Sequence, residues 1–148
     1  MEIFCKIYIV SVVASKQTKE YFIPRFMTAS WTNSRAVCRS YDMEFLSIES
    51  EKEFNHFLKL CKAKNQTLEK FTHLGAATSM EKSLDKWYWA DSGKKIGFPL
   101  KFDIGQPDSN GTNEFCLAMQ MSNKTEFSFH DVPCTTEIEF KFACHRLA

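Results

Sequence analysis

The sequence predicts an α+β domain, because two amphipathic helices come first along the chain and short alternating strands follow them. The chain has 148 residues, of which 44% are hydrophobic and 25% are charged. It is therefore the size of one domain, long enough to bury a core, and neither disordered nor fibrous in composition. Fourteen phenylalanines and three tryptophans predict a core built largely from aromatic rings.

Two segments carry helix signals. Ser30 is placed to cap a helix that runs to about Arg39. In the second segment, Ser50 is followed three residues later by Glu53, which is the pattern of a capping box. The residues after it recur at helical spacing and predict one continuous apolar stripe: Phe54, Phe57, Leu58 and Cys61.

The strand signals are short and lie mostly in the second half of the chain. "EYFIP" (20–24) predicts a first strand, and "WYWAD" (87–91), "FCLAMQM" (115–121) and "FKFAC" (140–144) predict later ones. Between 92 and 114 the chain has glycines, prolines and little periodicity. A loop of that length in one domain is typical of a functional segment.

The amino terminus predicts a secretory signal over residues 1–15. Lys6 precedes an apolar run over 7–14 that is too short to span a bilayer, and Val12 and Ala14 supply a small-residue cleavage pattern. The alternative is an ordinary buried strand. No other segment has the length and apolarity to cross a membrane, so we expect a secreted, extracellular protein without a membrane span.

Composition argues against nucleic-acid binding and against a zinc site. The net charge is +1 and the lysines and arginines are scattered along the sequence, which leaves no electrostatic footprint for nucleic acid. The six cysteines form no CxxC pair and have no zinc-ligand spacing with histidine. In a secreted chain they indicate disulfides, and three N-glycosylation sequons fit secretion: Asn65, Asn110 and Asn123.

Seven short motifs then occur in a fixed order from about Tyr21 to the end of the chain. They are "SWTNSRAVC" (30–38), "LSIESEKE" (46–53), "HLGA" (73–76), "WYWADSG" (87–93), "GQPDSNGTNEFC" (105–116), "FHDVPC" (129–134) and "FKFACHR" (140–146). In order and spacing they resemble the C-type lectin-like domains, and the Gln-Pro-Asp triplet resembles the galactose-type members. The resemblance assigns residues 20–148 to one carbohydrate-recognition domain of a secreted, single-domain protein.

The resemblance implies two disulfides, Cys38–Cys144 and Cys116–Cys134. In the chain-entropy model the first is worth about 4–5 kcal/mol, since it closes nearly the whole domain, and the second about 3 kcal/mol. Cys61 is left over. It lies on the apolar stripe of the second helix, which favours a buried thiol over an intermolecular bridge that would make a homodimer. If the amino terminus is retained, Cys5 becomes a further possible partner.

Three positions depart from the family pattern. His73 stands where the family's "WIGL" motif has tryptophan, and Phe102 replaces a tryptophan before the Gly-Gln-Pro-Asp run. Both are core positions in the family, so we expect altered packing there. The third is His130, which replaces the asparagine of the family's "WND" motif at the site itself.

The family's primary calcium site implies four ligand residues here: Gln106, Asp108, Glu114 and Asp131. With the Asp131 carbonyl they offer about five oxygens, and two sugar hydroxyls bring the total to about seven, within the 6–8 that calcium takes. Converging carboxylates repel each other unless a cation lies between them. The resemblance also implies a cis peptide before Pro107. His130 is a doubtful ligand, because calcium accepts nitrogen poorly. The alternative is a loop kept as scaffold without the metal.

The Gln-Pro-Asp order implies galactose or N-acetylgalactosamine as the ligand, because donor amide and acceptor carboxylate exchange places relative to Glu-Pro-Asn. The implied sugar contacts are Gln106, Asp108, Glu114, His130 and Asp131. Galactose binders of the family usually add an aromatic platform. None lies between 108 and 114, and Phe127 or Phe129 is either this platform or part of the core. A glycan on Asn110 would stand at the mouth of the site.

Two other functional classes compete with a calcium-dependent lectin. One is a calcium-independent module that recognises a protein or glycan through the same loops. The other is an enzyme, which we do not expect: four cysteines are implied as disulfides, and the histidines show no triad-like arrangement. These are His56, His73, His130 and His145.

Overall fold

The computed structural model describes residues 4–8, 18–63, 71–78, 86–108, 115–121, 127–135 and 138–147. Within them the chain has the predicted α+β arrangement of two helices and antiparallel sheets. The elements are β1 Phe4–Tyr8, β2 Lys19–Pro24, α1 Trp31–Ser40, β3 Glu44–Phe45, α2 Glu51–Ala63, β4 Phe71–Thr78, β5 Trp87–Trp89, β6 Cys116–Met121, β7 Phe127–Val132, β8 Lys141–Phe142 and β9 Cys144–Leu147. Glu114 and the sequons at Asn65, Asn110 and Asn123 lie outside the described residues.

The helices follow their sequence signals closely. The Ser30 side chain accepts a hydrogen bond from the Asn33 N–H at 3.2 Å and caps α1 as predicted. At the start of α2, the Glu53 N–H donates to Ser50 Oγ at 3.1 Å. The Glu53 carboxylate accepts from the Glu49 N–H at 2.7 Å, one residue before the position that a regular capping box uses. Of the predicted stripe, Phe54, Phe57 and Cys61 are buried and Leu58 is half-buried.

One sheet joins the two ends of the domain, in the strand order β1-β2-β9-β3. Strand β2 pairs antiparallel with β9, and Arg146 Nε lies 2.9 Å from Glu20 Oε2 across that pair. The Cys38–Cys144 disulfide ties α1 to the first residue of β9. This confirms the first implied disulfide, and it fixes the helix against the sheet.

Strand β1 falls within the segment that the sequence predicts to be a secretory signal. It pairs antiparallel with β2 over its whole length, from Phe4 opposite Pro24 to Tyr8 opposite Glu20. The segment is therefore a strand in this structure. Nothing in the pairing tests cleavage, so the boundary of the signal at residue 15 stays a prediction.

The second sheet carries the functional half of the molecule, in the order β5-β4-β6-β7, with β8 parallel to β4. The long strand β4 pairs with both β5 and β6, and its register with β6 shifts between His73 and Ala77. In that interval Gly75 donates its N–H to Leu46 O at 2.8 Å and accepts from the Ala90 N–H at 2.7 Å. Strand β4 therefore interrupts its pairing with β6 at this point, and Gly75 bonds to Leu46 and Ala90 instead.

A buried polar group connects β2 to α2. Lys19 Nζ lies 2.8 Å from Glu53 Oε1, and both side chains are almost fully buried. The Tyr21 hydroxyl donates to the same carboxylate oxygen. Burial, with the Glu53 charge as a second cause, raises the pKa of Tyr21 well above its usual range. Removing Lys19 would leave the charge of Glu53 buried without its countercharge.

Two core histidines are neutral near physiological pH. The fully buried ring of His73 lies 4.9 Å from the ring of Phe140, which is the altered packing expected at that position. Burial lowers the pKa of His73 to about 4, and backbone groups of Ile138 and Ala29 partly offset this effect. Burial, followed by the charge of Lys19, lowers the pKa of His145 to about 3.

We predict that the protein loses stability as the pH falls from about 6.5 to about 4. In that window the unfolded chain takes up a proton on each of these two histidines while the folded chain does not, so acid favours unfolding. For His73 the lost free energy of unfolding is roughly 3 kcal/mol at pH 4. His73→Phe keeps an aromatic ring beside Phe140 and removes the titration, so its stability should depend less steeply on pH. Denaturant unfolding at several pH values measures this.

His56→Phe is the matched control, because it removes a histidine at an exposed position of α2. If His73→Phe and the parent show the same pH dependence, the buried ring does not contribute to acid unfolding.

Candidate functional site

The candidate site lies where the long loop after β5 docks on strand β7. The Phe129 N–H donates to Lys101 O at 2.9 Å, and the Asp103 N–H donates to Phe129 O at 3.1 Å. These two backbone bonds hold the loop beside the strand that carries His130 and Asp131. The stretch after residue 92 was predicted to be a loop without regular periodicity. Its described part, which ends at Asp108, is held against β7 by these bonds.

A tight turn delivers Gln106 to the site. The Gln106 N–H donates to Asp103 O at 2.9 Å, and Gly105 has a φ of 80°, a conformation that glycine adopts without steric cost. The Asp103 side chain adds to the turn, because its Oδ1 accepts from the Ile104 N–H at 2.9 Å. The peptide between Gln106 and Pro107 is cis, as the resemblance implies.

Asp131 fixes the end of the described loop. Its Oδ1 accepts from the Asp108 N–H at 3.0 Å, although the two residues lie 23 positions apart. Asp131 is only 3% exposed, whereas Asp108 is exposed to solvent. Gln106 Nε2 donates to Asp108 Oδ2 at 3.2 Å. The structure thus brings together three of the four predicted metal ligands; Glu114 lies outside the described residues.

The amide oxygen of Gln106 tests whether this group fits a cation. Gln106 Oε1 is buried and has no hydrogen-bond donor among the described residues. The Nε2 atom of the same amide contacts Asp108, whose N–H is held by the Asp131 carboxylate. A buried acceptor without a donor is costly in a protein, and calcium binds through carboxylate and amide oxygens. The donor set therefore fits calcium. Without Glu114, the described residues hold no cluster of three or more His, Cys, Asp or Glu side chains suited to a metal.

His130 contacts a residue that sequence reasoning did not single out. Neighbouring residues of a strand point to opposite faces, so His130 and Asp131 diverge. His130 Nε2 lies 3.3 Å from Asp103 Oδ2, and the His130 ring meets the Phe71 ring edge-on at 5.3 Å. The role of His130 at the metal or the sugar stays a prediction.

The two candidate aromatic platforms belong to a packed cluster. Phe129 is 2% exposed, and its ring lies 5.6 Å from that of Phe54. The half-buried Phe127 ring meets Phe54 at 4.5 Å, edge-on. Phe129 is therefore a core residue. In contrast to Phe129, the apolar side chain of Ile104, on the turn before Gln106, is 99% exposed to solvent.

A disulfide connects the two strands on which the site rests. Cys116, the first residue of β6, is bonded to Cys134, three residues after Asp131. This confirms the second implied disulfide. Because Leu117 pairs with Asp131 across β6 and β7, the bond closes the end of the same hairpin. Cys61 is buried, as the apolar stripe predicts, and belongs to neither of these two disulfides.

The family assignment now rests on a direct match. The family model for the lectin C-type domain matches residues 27–146. The chain belongs to the C-type lectin family. Proteins of this family are in general binding modules and not enzymes. No curated protein matches the chain, and within the described residues no helix has the length and apolarity to cross a membrane.

Solved structures of this C-type lectin fold resemble the chain at low identity. The C-type lectin domain of murine dendritic cell inhibitory receptor 2, in complex with N-glycan, is 21% identical with a TM-score of 0.66, covering 86% of this chain and 90% of its own. CEL-I from Cucumaria echinata is 18% identical with a TM-score of 0.68, covering 88% and 90%. Human lithostathine is 21% identical with a TM-score of 0.67, covering 86% and 82%. At these identities they show the shared fold.

We predict that Asp103 and His130 stabilise the docked loop together. Asp103→Ala removes the acceptor for the Ile104 N–H and the contact with His130, and should lower the free energy of unfolding by about 1 kcal/mol. His130→Phe keeps an aromatic ring against Phe71 while removing Nε2. The double variant should lose less than the sum of the two single losses. Denaturant unfolding of all four proteins measures the coupling.

Asp103→Asn is the matched control, because an amide oxygen still accepts from the Ile104 N–H while the charge is gone. Additive losses in the double variant would show that the 3.3 Å contact contributes nothing to stability.

Proposed function

We propose that this C-type lectin domain binds carbohydrate through calcium, with galactose-type ligands. The observation that carries the proposal is the buried Gln106 Oε1, which lacks a donor among the described residues. It belongs to a side chain that contacts Asp108, and the Asp108 N–H is held in turn by the Asp131 carboxylate. Calcium would supply the missing partner for this oxygen and the charge that the carboxylates need. The ligand set proposed is Gln106, Asp108, Glu114 and Asp131.

Carbohydrate as the ligand class is supported by relatives of the same fold. The murine receptor domain is described in complex with N-glycan, and another neighbour, SPL-1, in complex with GlcNAc. In this chain, Asp108 is exposed to solvent while Asp131 is buried behind it. This difference in exposure supports Asp108 as the acceptor for sugar hydroxyls and Asp131 as the residue that holds the loop presenting them.

Selectivity for galactose or N-acetylgalactosamine follows from the two side chains flanking Pro107. The amide of Gln106 donates and the carboxylate of Asp108 only accepts, and their hydrogen bond of 3.2 Å keeps them side by side. Exchanging them reverses the direction of the hydrogen bonds offered to a vicinal hydroxyl pair. A site of this kind discriminates strongly between sugars, because a sugar with the wrong arrangement of hydroxyls leaves one polar group of the site unpaired.

A second candidate function is calcium-independent recognition of a protein or glycan. The observation that favours it is the contact of His130 with Asp103 at 3.3 Å. His130 packs against Asp103 and Phe71, and backbone hydrogen bonds hold the loop against β7 on either side of this contact. A loop ordered in this way is a recognition surface with or without a metal.

Secretion completes the proposal: residues 1–15 act as the signal, and glycans attach at Asn65, Asn110 or Asn123. A covalent homodimer through Cys61 belongs to the same set of proposals. The burial of the thiol, at 1% exposure, counts against it, because a bridge to a second chain needs an accessible sulfur.

We predict that calcium raises the melting temperature of the protein and that a chelator reverses the rise. A ligand that binds only the folded state stabilises it, by about 2.7 kcal/mol at 100 times its dissociation constant. Asp131→Ala should abolish the calcium effect. Asp131→Asn is the matched variant, since it retains an acceptor for the Asp108 N–H and removes the charge. It should stay folded and respond weakly to calcium. Identical melting of the parent with calcium and with chelator would favour the calcium-independent function.

We also predict that exchanging Gln106 and Asp108 for Glu and Asn moves sugar preference from galactose toward mannose. The double change keeps the total charge and reverses the asymmetry of donor and acceptor. Inhibition of glycan-array binding by the two free sugars, in calcium, gives the ratio for each protein. An unchanged ratio in the double variant would refute the assignment of selectivity to this pair.

A further inference from the structure

A cavity of about 430 Å³ lies beside the candidate site, under the loop that follows β5. We call it the loop pocket, and the lining residues that matter here are Trp87, Lys95, Ile96, Phe98, Leu100 and Phe102. Its volume is within the range of small-molecule sites, about 300–1,000 Å³. The polar residues of the candidate calcium site are not part of it.

The floor of the loop pocket is a fixed hairpin. The Trp89 N–H donates to Lys94 O and the Ile96 N–H donates to Trp87 O, both at 2.9 Å, and Tyr88 pairs with Lys95 between them. Trp87 and Ile96 are 3% and 9% exposed. The floor is therefore an apolar surface held by backbone hydrogen bonds.

The walls are anchored to other elements of the domain. The Phe98 ring stacks on the Phe54 ring of α2 at 6.4 Å, and the Phe102 ring lies 5.9 Å from that of Trp87. The Phe129 N–H donates to Lys101 O and pins the loop between Leu100 and Phe102. With both walls held from outside, the pocket does not need a ligand to keep its shape.

The walls leave apolar surface in contact with water. Phe98, Leu100 and Phe102 line the pocket and are only half-buried. Covering apolar surface is favourable by roughly 25 cal/mol per Å², or about 0.8 kcal/mol per buried methylene. A ligand with an alkyl chain gains this free energy without displacing any hydrogen bond of the floor.

One cation lines the apolar space. Lys95 is exposed and lines the pocket, and its ammonium group has no ion pair or hydrogen bond among the described residues. Lys94 and Lys101 are exposed next to lining residues and likewise have no carboxylate partner in the described part of the chain. Among the residues that line the pocket Lys95 is the charged one, and its ammonium group favours an anionic ligand.

We propose that the loop pocket binds an anionic amphiphile with a single alkyl chain, such as a medium-chain fatty acid. The alkyl chain packs against Trp87, Leu100 and Phe102, and the carboxylate meets the ammonium of Lys95. This binding is independent of calcium and of sugar, since it uses none of the candidate metal ligands. It adds a second ligand to the loop that ends in Gln106 and Asp108.

The test is calorimetric titration of the full chain with decanoate in the presence of a chelator, so that the calcium site plays no part. A series from hexanoate to decanoate should bind more tightly with each methylene, by up to about fourfold per group. Lys95→Met keeps the apolar stem and removes the charge. It should weaken decanoate binding by about three- to fivefold and leave binding of the neutral decan-1-ol unchanged.

Leu100→Trp fills the pocket and should abolish binding of both the acid and the alcohol. Lys59→Met, on an exposed position of α2, is the matched control for loss of a lysine and should bind decanoate like the parent. Thermal melting of each variant confirms that it is folded, and the chain-length series on the parent needs no variant at all.

Three results would overturn the proposal. The first is an absence of decanoate binding by the parent, or an affinity that does not depend on chain length. The second is equal decanoate binding by the parent and a folded Leu100→Trp variant. The third is equal weakening of acid and alcohol by Lys95→Met. Binding of a sulfated polysaccharide that survives Leu100→Trp would assign the lysines to a surface polyanion site and not to the pocket.

Discussion

The two sheets of this C-type lectin domain meet at a backbone contact that admits no side chain. A Cβ on Gly75 would lie 2.5 Å from Leu46 O and 2.8 Å from Phe45 O, closer than real Cβ atoms approach. At the same residue, β4 leaves its register with β6 and bonds to Leu46 and Ala90. The position of β5, and of the loop that follows it, depends on this approach, and so do the candidate site and the loop pocket.

Local structure was predictable because its causes are local. Ser30 and Ser50 cap their helices through residues three positions away, and the spacing alone indicates this. The other role of Glu53 was not predictable, since its carboxylate also meets Lys19, which lies 34 residues earlier. A capping pattern specifies the helix end and contains no information about the strand that will approach it. Pairings of this kind follow from the tertiary fold.

The candidate site was predictable to the extent that it repeats a family pattern. Gln106, Asp108 and Asp131 come together as the resemblance implies, and Glu114 lies outside the described residues. Asp103 was missed because its role depends on β7 lying beside the loop, and an aspartate before a glycine turn is common. The loop pocket was missed for a similar reason. Lys95, one of the lysines scattered along the sequence, lines the pocket only once the chain after β5 has folded back.

The two disulfides differ in how accessible they are to solvent. One braces the hairpin under the candidate site, and the other ties a helix to a sheet. Cys38 and Cys144 are fully buried. In the other disulfide Cys116 is buried and Cys134 is half-buried. A small thiol therefore reaches the bond beside Asp131 before it reaches the bond that ties α1 to β9. When reduction begins, the brace of the loop is therefore the first of the two bonds to open, while the helix is still attached to the sheet. Ligand recognition by this domain is thus coupled to an oxidising environment more tightly than the fold is.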